Sequence, residues 1–202
     1  TSIPNMSVAA PKNLWELRAM MEFAMDYNAP LAIRYPRGTA YRGLREYRQP
    51  IIYGKGELLC EESDIALLAV GSMVSTAEHI REKLKEEGYS CSLANGRFVK
   101  PFDKELTERL AKNHRLLVTL EENVLQGGYG LAVTAYIHSH YPEVKVVNIA
   151  LPDAYVEHGN VSLLRKGLGI DSDSIIRRLK EEGWLSGIHR EENGEERQRP
   201  SE

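Results

Sequence analysis

The sequence predicts an α/β protein, a mostly parallel but mixed sheet with helices on both faces, preceded by a partial β-α-β unit. Three observations predict it. From residue 51 to about 187, short apolar runs alternate with amphipathic segments at helical spacing, and such alternation builds a parallel sheet covered on both sides. Residues 65–70 are apolar without interruption, as a strand buried on both faces requires. The first forty residues read strand, helix, strand, a unit too small to bury its own apolar faces.

Residues 6–9 form a short strand closed by Pro11. Asn13 then caps a helix, with Glu16 three residues later in a pattern like a capping box. Leu14, Leu17, Met21, Ala24 and Met25 fall on one face of that helix, and this face needs a sheet that the chain does not supply. Residues 31–35 form the next strand, ended by Pro36 and Gly38. Residues 39–50 are polar, basic and aromatic without periodicity and read as a linker.

Beyond the linker, residues 51–53 and 57–59 flank Gly54, Lys55 and Gly56 as a hairpin or a bent edge strand. Residues 75–87 form an amphipathic helix closed by Gly88, and residues 90–94 a strand. Asp103 caps a helix reaching Asn113, residues 116–120 form a strand, and a helix opened by Gly128 runs to Tyr141. Residues 144–149 form the last strand, and Asp171 or Asp173 caps a closing helix near Trp184. The acidic, apolar-poor tail after Ile188 reads as disordered. Thr1 is not a natural start and suggests a cut or processed product.

Composition excludes several classes. A net charge of −3 and a pI near 6.1 lack the basic surface of a nucleic-acid or anionic-membrane binder. No apolar stretch approaches the roughly 18 residues of a membrane span, and no targeting segment opens the chain. Cys60 and Cys91 have neither metal-ligand spacing nor scaffold density, and read as small buried thiols in a reducing cytoplasm.

Arg34-Tyr35-Pro36-Arg37-Gly38 closes a strand, where ligands of open α/β sheets bind. Two guanidiniums there suit a phosphate or carboxylate, or else pair with acidic groups of a partner domain. Glu121-Glu122-Asn123 followed by Gly127-Gly128-Tyr129-Gly130 reads strand, loop, helix start. Glycines before a helix can cradle a phosphate, but the adjacent carboxylates repel one, so tight packing of loop on sheet is the favoured reading. Glu121 and Glu122 point to opposite faces and make no acid/base pair. His138 and His140 lie about 200° apart on a helix and share no metal. His158 sits in a loop with no identifiable partner.

Together with Ile3-Pro4-Asn5-Met6, Gly54-Lys55-Gly56, Arg97-Phe98-Val99-Lys100-Pro101 and Leu151-Pro152-Asp153, these strings resemble, in order and spacing, the 1-deoxy-D-xylulose-5-phosphate synthase family. This is a transketolase-like family of thiamine diphosphate enzymes, and the resemblance runs from about residue 1 to 185. It implies condensation of pyruvate with glyceraldehyde 3-phosphate, releasing carbon dioxide, by a cytoplasmic homodimer that uses thiamine diphosphate and Mg²⁺. It further implies that residues 1–38 end a pyrimidine-binding domain, 39–50 link, 51–187 form a C-terminal domain with a five-stranded sheet, and 188–202 are a tail. The Gly-Asp-Gly diphosphate motif does not occur in these residues, and the family's activating glutamate and catalytic histidines lie upstream of Thr1. Only Arg37 carries over from the family's site, as a ligand of the glyceraldehyde 3-phosphate phosphate. No cofactor is expected on the chain alone, and its partners are the missing N-terminal domains. The leading expectation is a C-terminal portion inactive by itself. One half of a split transketolase-like enzyme and a non-enzymatic dimerisation module are the alternatives.

Overall fold

The computed structural model of the protein describes residues 3–188, and almost all of the predicted tail lies outside them. The elements run β1 (Ser7–Ala9), α1 (Leu14–Asp26), β2 (Leu31–Ile33), β3 (Glu57–Cys60), β4 (Asp64–Ala69), α2 (Met73–Glu86), β5 (Cys91–Asn95), β6 (Phe98–Lys100), α3 (Lys104–Asn113), β7 (His114–Val124), α4 (Tyr129–His140), β8 (Lys145–Leu151), α5 (Val161–Gly167) and α6 (Ser172–Glu181).

Five strands form the main sheet in the order β3-β5-β4-β7-β8. Four of them are parallel, and β3 runs antiparallel along the edge beside β5. The uninterrupted apolar run of β4 serves both faces at once, because successive side chains alternate. Ile65, Leu67 and Ala69 join the cluster beneath α2 and α6. Ala66, Leu68 and Val70 join the cluster beneath α3 and α4. Helices thus cover both faces, as the alternation predicts. The cap of α6 is Asp171, which settles the choice against Asp173. Cys91 is buried and Cys60 half-buried, and both are free thiols.

The predicted hairpin resolves to the edge-strand alternative. Residues 51–53 are not a strand, and Glu57–Cys60 alone pairs with β5. Two elements had no signal in the periodicity. β6 is three residues long, and α5 is a seven-residue helix without a buried side chain; neither length shows an apolar period.

β6 matters because it completes a second sheet, β2-β1-β6. β1 pairs parallel with β2 and antiparallel with β6, so the N-terminal unit borrows a strand from the larger domain. Ala9, Met20 and Phe98 form its small core, with Phe23, Leu31, Ile33 and Ile51 around it. This corrects in part the reading that the apolar face of α1 needs a sheet the chain does not supply, since Met20 packs against Ala9 and Phe98. The apolar face of α1 is only partly used: Met20 goes inward, whereas Met21 and Met25 stay 53% and 86% exposed.

The capping expectation at Asn13 holds in part. Asn13 Oδ1 accepts from the Glu16 amide at 3.0 Å, while its Nδ2 donates to the Gly43 and Leu44 carbonyls. Glu16 does not return the bond to the cap residue. Its carboxylate accepts from the Lys12 amide at 2.6 Å and enters a buried charge cluster with Lys12, Glu57, Asn95 and Arg97. The linker is therefore fastened at Gly43 and Leu44, with Leu44 itself in the core.

Candidate functional site

Strand order locates the site. From β4 the chain passes through α2 to β5, and from β7 through α4 to β8. These helices lie on opposite faces of the sheet, yet β4 and β7 are neighbours. The chain therefore leaves adjacent carboxyl ends in opposite directions and opens a crevice there, the usual ligand position in open α/β sheets.

Ser72, just beyond β4, and Glu122, near the end of β7, meet across this crevice. Ser72 Oγ donates to Glu122 Oε2 at 2.5 Å. Ser72 is also the N-cap residue of α2, yet its hydroxyl makes no cap bond. Arg165 of α5 closes the group, donating through Nε to Glu122 Oε1 at 3.2 Å and through Nη2 to Oε2 at 2.6 Å. Burial alone would push the Glu122 carboxyl up, but Arg165 and Ser72 outweigh it and hold it below the usual carboxylate range.

The crevice opens into a cavity of about 650 Å³ between the two sheets' strand ends. Arg37, Arg165, Ser72, Ser75 and Thr39 line it, with Tyr35 and Pro36 at the end of β2. Tyr41, also on the wall, donates to Glu78 at 2.6 Å. Arg37 is exposed and forms no hydrogen bond or ion pair with a described residue. Arg34 lies close enough to Glu121 and Glu122 to favour the charged form of both, though burial outweighs it at Glu121. Of the two guanidiniums that line the cavity, Arg165 is paired with Glu122 and Arg37 has no acidic partner among the described residues.

The glycine loop does what its composition suggests and cradles no free anion. The N-terminus of α4 is occupied by a carboxylate of the chain itself: Glu121 accepts from the Tyr129 amide at 2.9 Å and the Gly130 amide at 2.7 Å. A Cβ on Gly128 would sit 2.6 Å from Glu121 Oε1 and from the Val124 carbonyl, and one on Gly130 would sit 2.6 Å from Asn148 and Thr119 oxygens. Close approach of the strand end therefore requires both glycines. Burial raises the Glu121 pKa, partly offset by the two amides and Arg34. Glu121 and Glu122 do point to opposite faces, one toward α4 and the other toward Ser72 and Arg165. Gly128→Ala is expected to cost about 1–3 kcal/mol, the usual penalty of overpacking; urea unfolding measures it, and an unchanged midpoint would show that the loop yields.

The structure brings Arg37, Ser72 and Arg165 to one cavity, with Glu122 bonded to the last two; of these residues, the family resemblance had offered Arg37 as a site residue. Ser72 and Arg165 carry no local motif, and only the strand order brings them beside Glu122. His158 is exposed in the loop before α5. His114 is the buried histidine, bonded to the Leu110 carbonyl and to Ser92, a packing role. Among the described residues, no group of three or more His, Cys, Asp or Glu side chains could hold a metal ion, and no helix is long and apolar enough to cross a membrane.

Comparison with known proteins agrees with this architecture. The chain is similar to 1-deoxy-D-xylulose-5-phosphate synthase of Lachnoclostridium phytofermentans, 47% identical over 178 residues, or 88% of this chain and 28% of the relative. The enzyme of the same name from Heliobacterium modesticaldum is 40% identical over 180 residues, 89% of this chain and 28% of the relative. The chain thus spans well under a third of the length of these relatives. Among solved structures, a split-gene transketolase in an inactive β4 tetramer superposes with a TM-score of 0.80 at 26% identity, covering 89% of this chain and 58% of that one. Transketolase of Campylobacter jejuni shares the fold, with a TM-score of 0.65 at 20% identity over 89% of this chain and 27% of that one. Residues 54–175, which hold all five strands of the main sheet and both carboxylates at its strand ends, match the transketolase C-terminal domain, and the chain belongs to that family.

Proposed function

We propose that the chain is the C-terminal portion of a 1-deoxy-D-xylulose-5-phosphate synthase, which joins pyruvate to glyceraldehyde 3-phosphate with loss of carbon dioxide, and that Arg37 binds the phosphate of the second substrate. One observation carries the reading. Arg37, at the carboxyl end of β2, lines the cavity at the crevice of the main sheet without an acidic partner among the described residues. A guanidinium so placed suits a phosphate, which it can hold through two parallel hydrogen bonds. In this reading residues 1–38 end a pyrimidine-binding domain, 39–50 link, 51–187 form the C-terminal domain, and 188–202 are a tail.

The family depends on thiamine diphosphate, which supplies the carbanion chemistry when bound. In this reading the chain's part is substrate recognition. Arg37 holds the phosphate end, which fixes the distance of the aldehyde carbon from the reacting centre. The N-terminal domains of the same enzyme, in a cytoplasmic homodimer, supply the remaining groups.

The 202-residue chain assayed alone is expected neither to bind thiamine diphosphate tightly nor to make deoxyxylulose phosphate. Calorimetry with thiamine diphosphate and Mg²⁺ and a coupled assay decide this; micromolar binding or turnover would overturn the division of labour. The likeness to a split-gene transketolase favours a second reading, a C-terminal half working with a separate N-terminal subunit. Activity restored by a separately made natural partner subunit supports that reading. Activity only when the domains share one chain supports the first.

A further inference from the structure

We infer that Arg165 is a second anion-binding arm of the cavity, acting with Arg37 on the phosphate of a phosphate monoester; this rests on the reading of the cavity as a phosphate site. Arg165 lines the same cavity as Arg37. Its Nε and Nη2 are engaged by Glu122, while Nη1 has no hydrogen-bond partner among the described residues. Guanidinium carries five N–H donors, so the pair with Glu122 leaves donors for a ligand. The bidentate pair fixes the plane of the group, and Ser72 in turn fixes Glu122. Such an arm is oriented before a ligand arrives, which lowers the ordering cost of binding.

Stability alone gives a weak account of this arrangement. The Arg165 and Glu122 side chains are 22% and 28% exposed, and a partly exposed ion pair contributes little. Ser72, whose backbone is already helical at φ −57° and ψ −24°, makes no cap bond and gives its hydroxyl to Glu122. A guanidinium held by a carboxylate that is itself held by a serine hydroxyl is fixed in position. Glu122 balances Arg165, and the charge left on Arg37 together with the open Nη1 suits a dianion bridging the two arms.

The test titrates inorganic phosphate into the intact 202-residue chain, followed by amide shifts of residues near the cavity, with thermal unfolding of each variant as the check on folding. The unchanged chain is expected to show saturable shifts, and Arg165→Ala about tenfold weaker binding, as for a lost charge-assisted hydrogen bond. Arg165→Lys keeps a charge beside Glu122 but loses the fork, and is expected to recover little. Arg37→Ala weakening binding while Arg165→Ala does not would overturn the inference and leave the phosphate site standing. Full recovery in Arg165→Lys would overturn it too, since a mere prop for Glu122 needs only the charge. No saturable shift in the unchanged chain would overturn both. If Arg165→Ala fails to fold, Arg165→Gln, which can still donate to Glu122, takes its place with the same expected loss.

Discussion

Arg97→Ala is expected to destabilise the protein by about 3–5 kcal/mol, the range for removing one partner from a buried ion cluster. Arg97 is 2% exposed and spends its guanidinium fully on the chain. Nε donates to Glu16 at 2.7 Å, Nη1 to the Pro50 carbonyl at 3.1 Å, and Nη2 to the Gln49 carbonyl at 2.9 Å, with Glu57 at 3.0 Å. Lys12 Nζ completes the group, 3.0 Å from Glu16 and 2.5 Å from Glu57. Two cations and two carboxylates balance inside the protein. Without Arg97, two buried carboxylates share one ammonium and two linker carbonyls lose their donor. Arg97→Lys keeps the charge without the fork and is expected to recover only a minor part.

The cluster ties the N-terminal unit, the linker, β3 and the end of β5 together, so residues 3–188 are expected to unfold in one transition. Chemical denaturation of a Trp184→Phe variant, followed by the remaining Trp15 fluorescence and by far-ultraviolet circular dichroism, checks this, since two-state unfolding gives coincident curves. An early transition at Trp15 alone would show instead that the N-terminal unit is loosely held. The cluster also sets an acid limit. Burial alone would push the Glu16 carboxyl up, but Lys12 and Arg97 hold it below the usual 4.5. A lowered carboxyl contributes stability that is present above its unfolded pKa and is lost as pH falls through the folded one. Stability is therefore expected to fall below about pH 4.5, and less steeply in Glu16→Gln measured from its own lower plateau.

In an enzyme carrying this chain with the remaining domains, Arg37→Ala is expected to raise the KM for glyceraldehyde 3-phosphate about ten- to a hundredfold, with little change for pyruvate. A charge-assisted hydrogen bond is worth about 1.5–3 kcal/mol, and a contact made equally in ground and transition states appears in KM. Pyruvate has no phosphate, so its KM reports whether the cavity as a whole has been disturbed. Arg37 makes no hydrogen bond or ion pair with a described residue that the substitution would break, and the expected loss of stability is small. A parallel rise for both substrates would remove Arg37 from the phosphate site. Arg37→Lys separates the fork from the charge and is expected to restore little.

Much of the fold was legible because it rests on local chemistry. Asn13, Asp103 and Asp171 cap helices as their side chains dictate, and Gly88, at φ 86°, ends α2 as its missing Cβ permits. The run of β4 declared a strand buried on both sides, and the order of strands and helices declared a parallel sheet. β6 and α5 escaped because three residues and one exposed turn carry no period. The buried pairing of Lys12 and Glu16 with Glu57 and Arg97 escaped because its bonded members lie up to 81 positions apart, as Arg97 and Glu16 do, and nothing in a charged residue marks it for burial.

The same division holds for the site. Local composition placed two guanidiniums, Arg34 and Arg37, at a strand end, and the family resemblance chose Arg37 between them; the glycines after Glu122 were readable as packing, because a carboxylate beside a helix N-terminus competes for the same amides that would hold a phosphate. Residue types and their spacing thus determined the elements, their class and a pair of candidate anion ligands. Tertiary structure alone decided that β4 and β7 are neighbours whose connections part to opposite faces. That crevice brings Ser72, Glu122 and Arg165 together and turns Arg37 toward a cavity rather than an acidic partner. The reason is physical: strand adjacency is set by how both apolar faces of the whole sheet are buried at once, and no local run of residues records it.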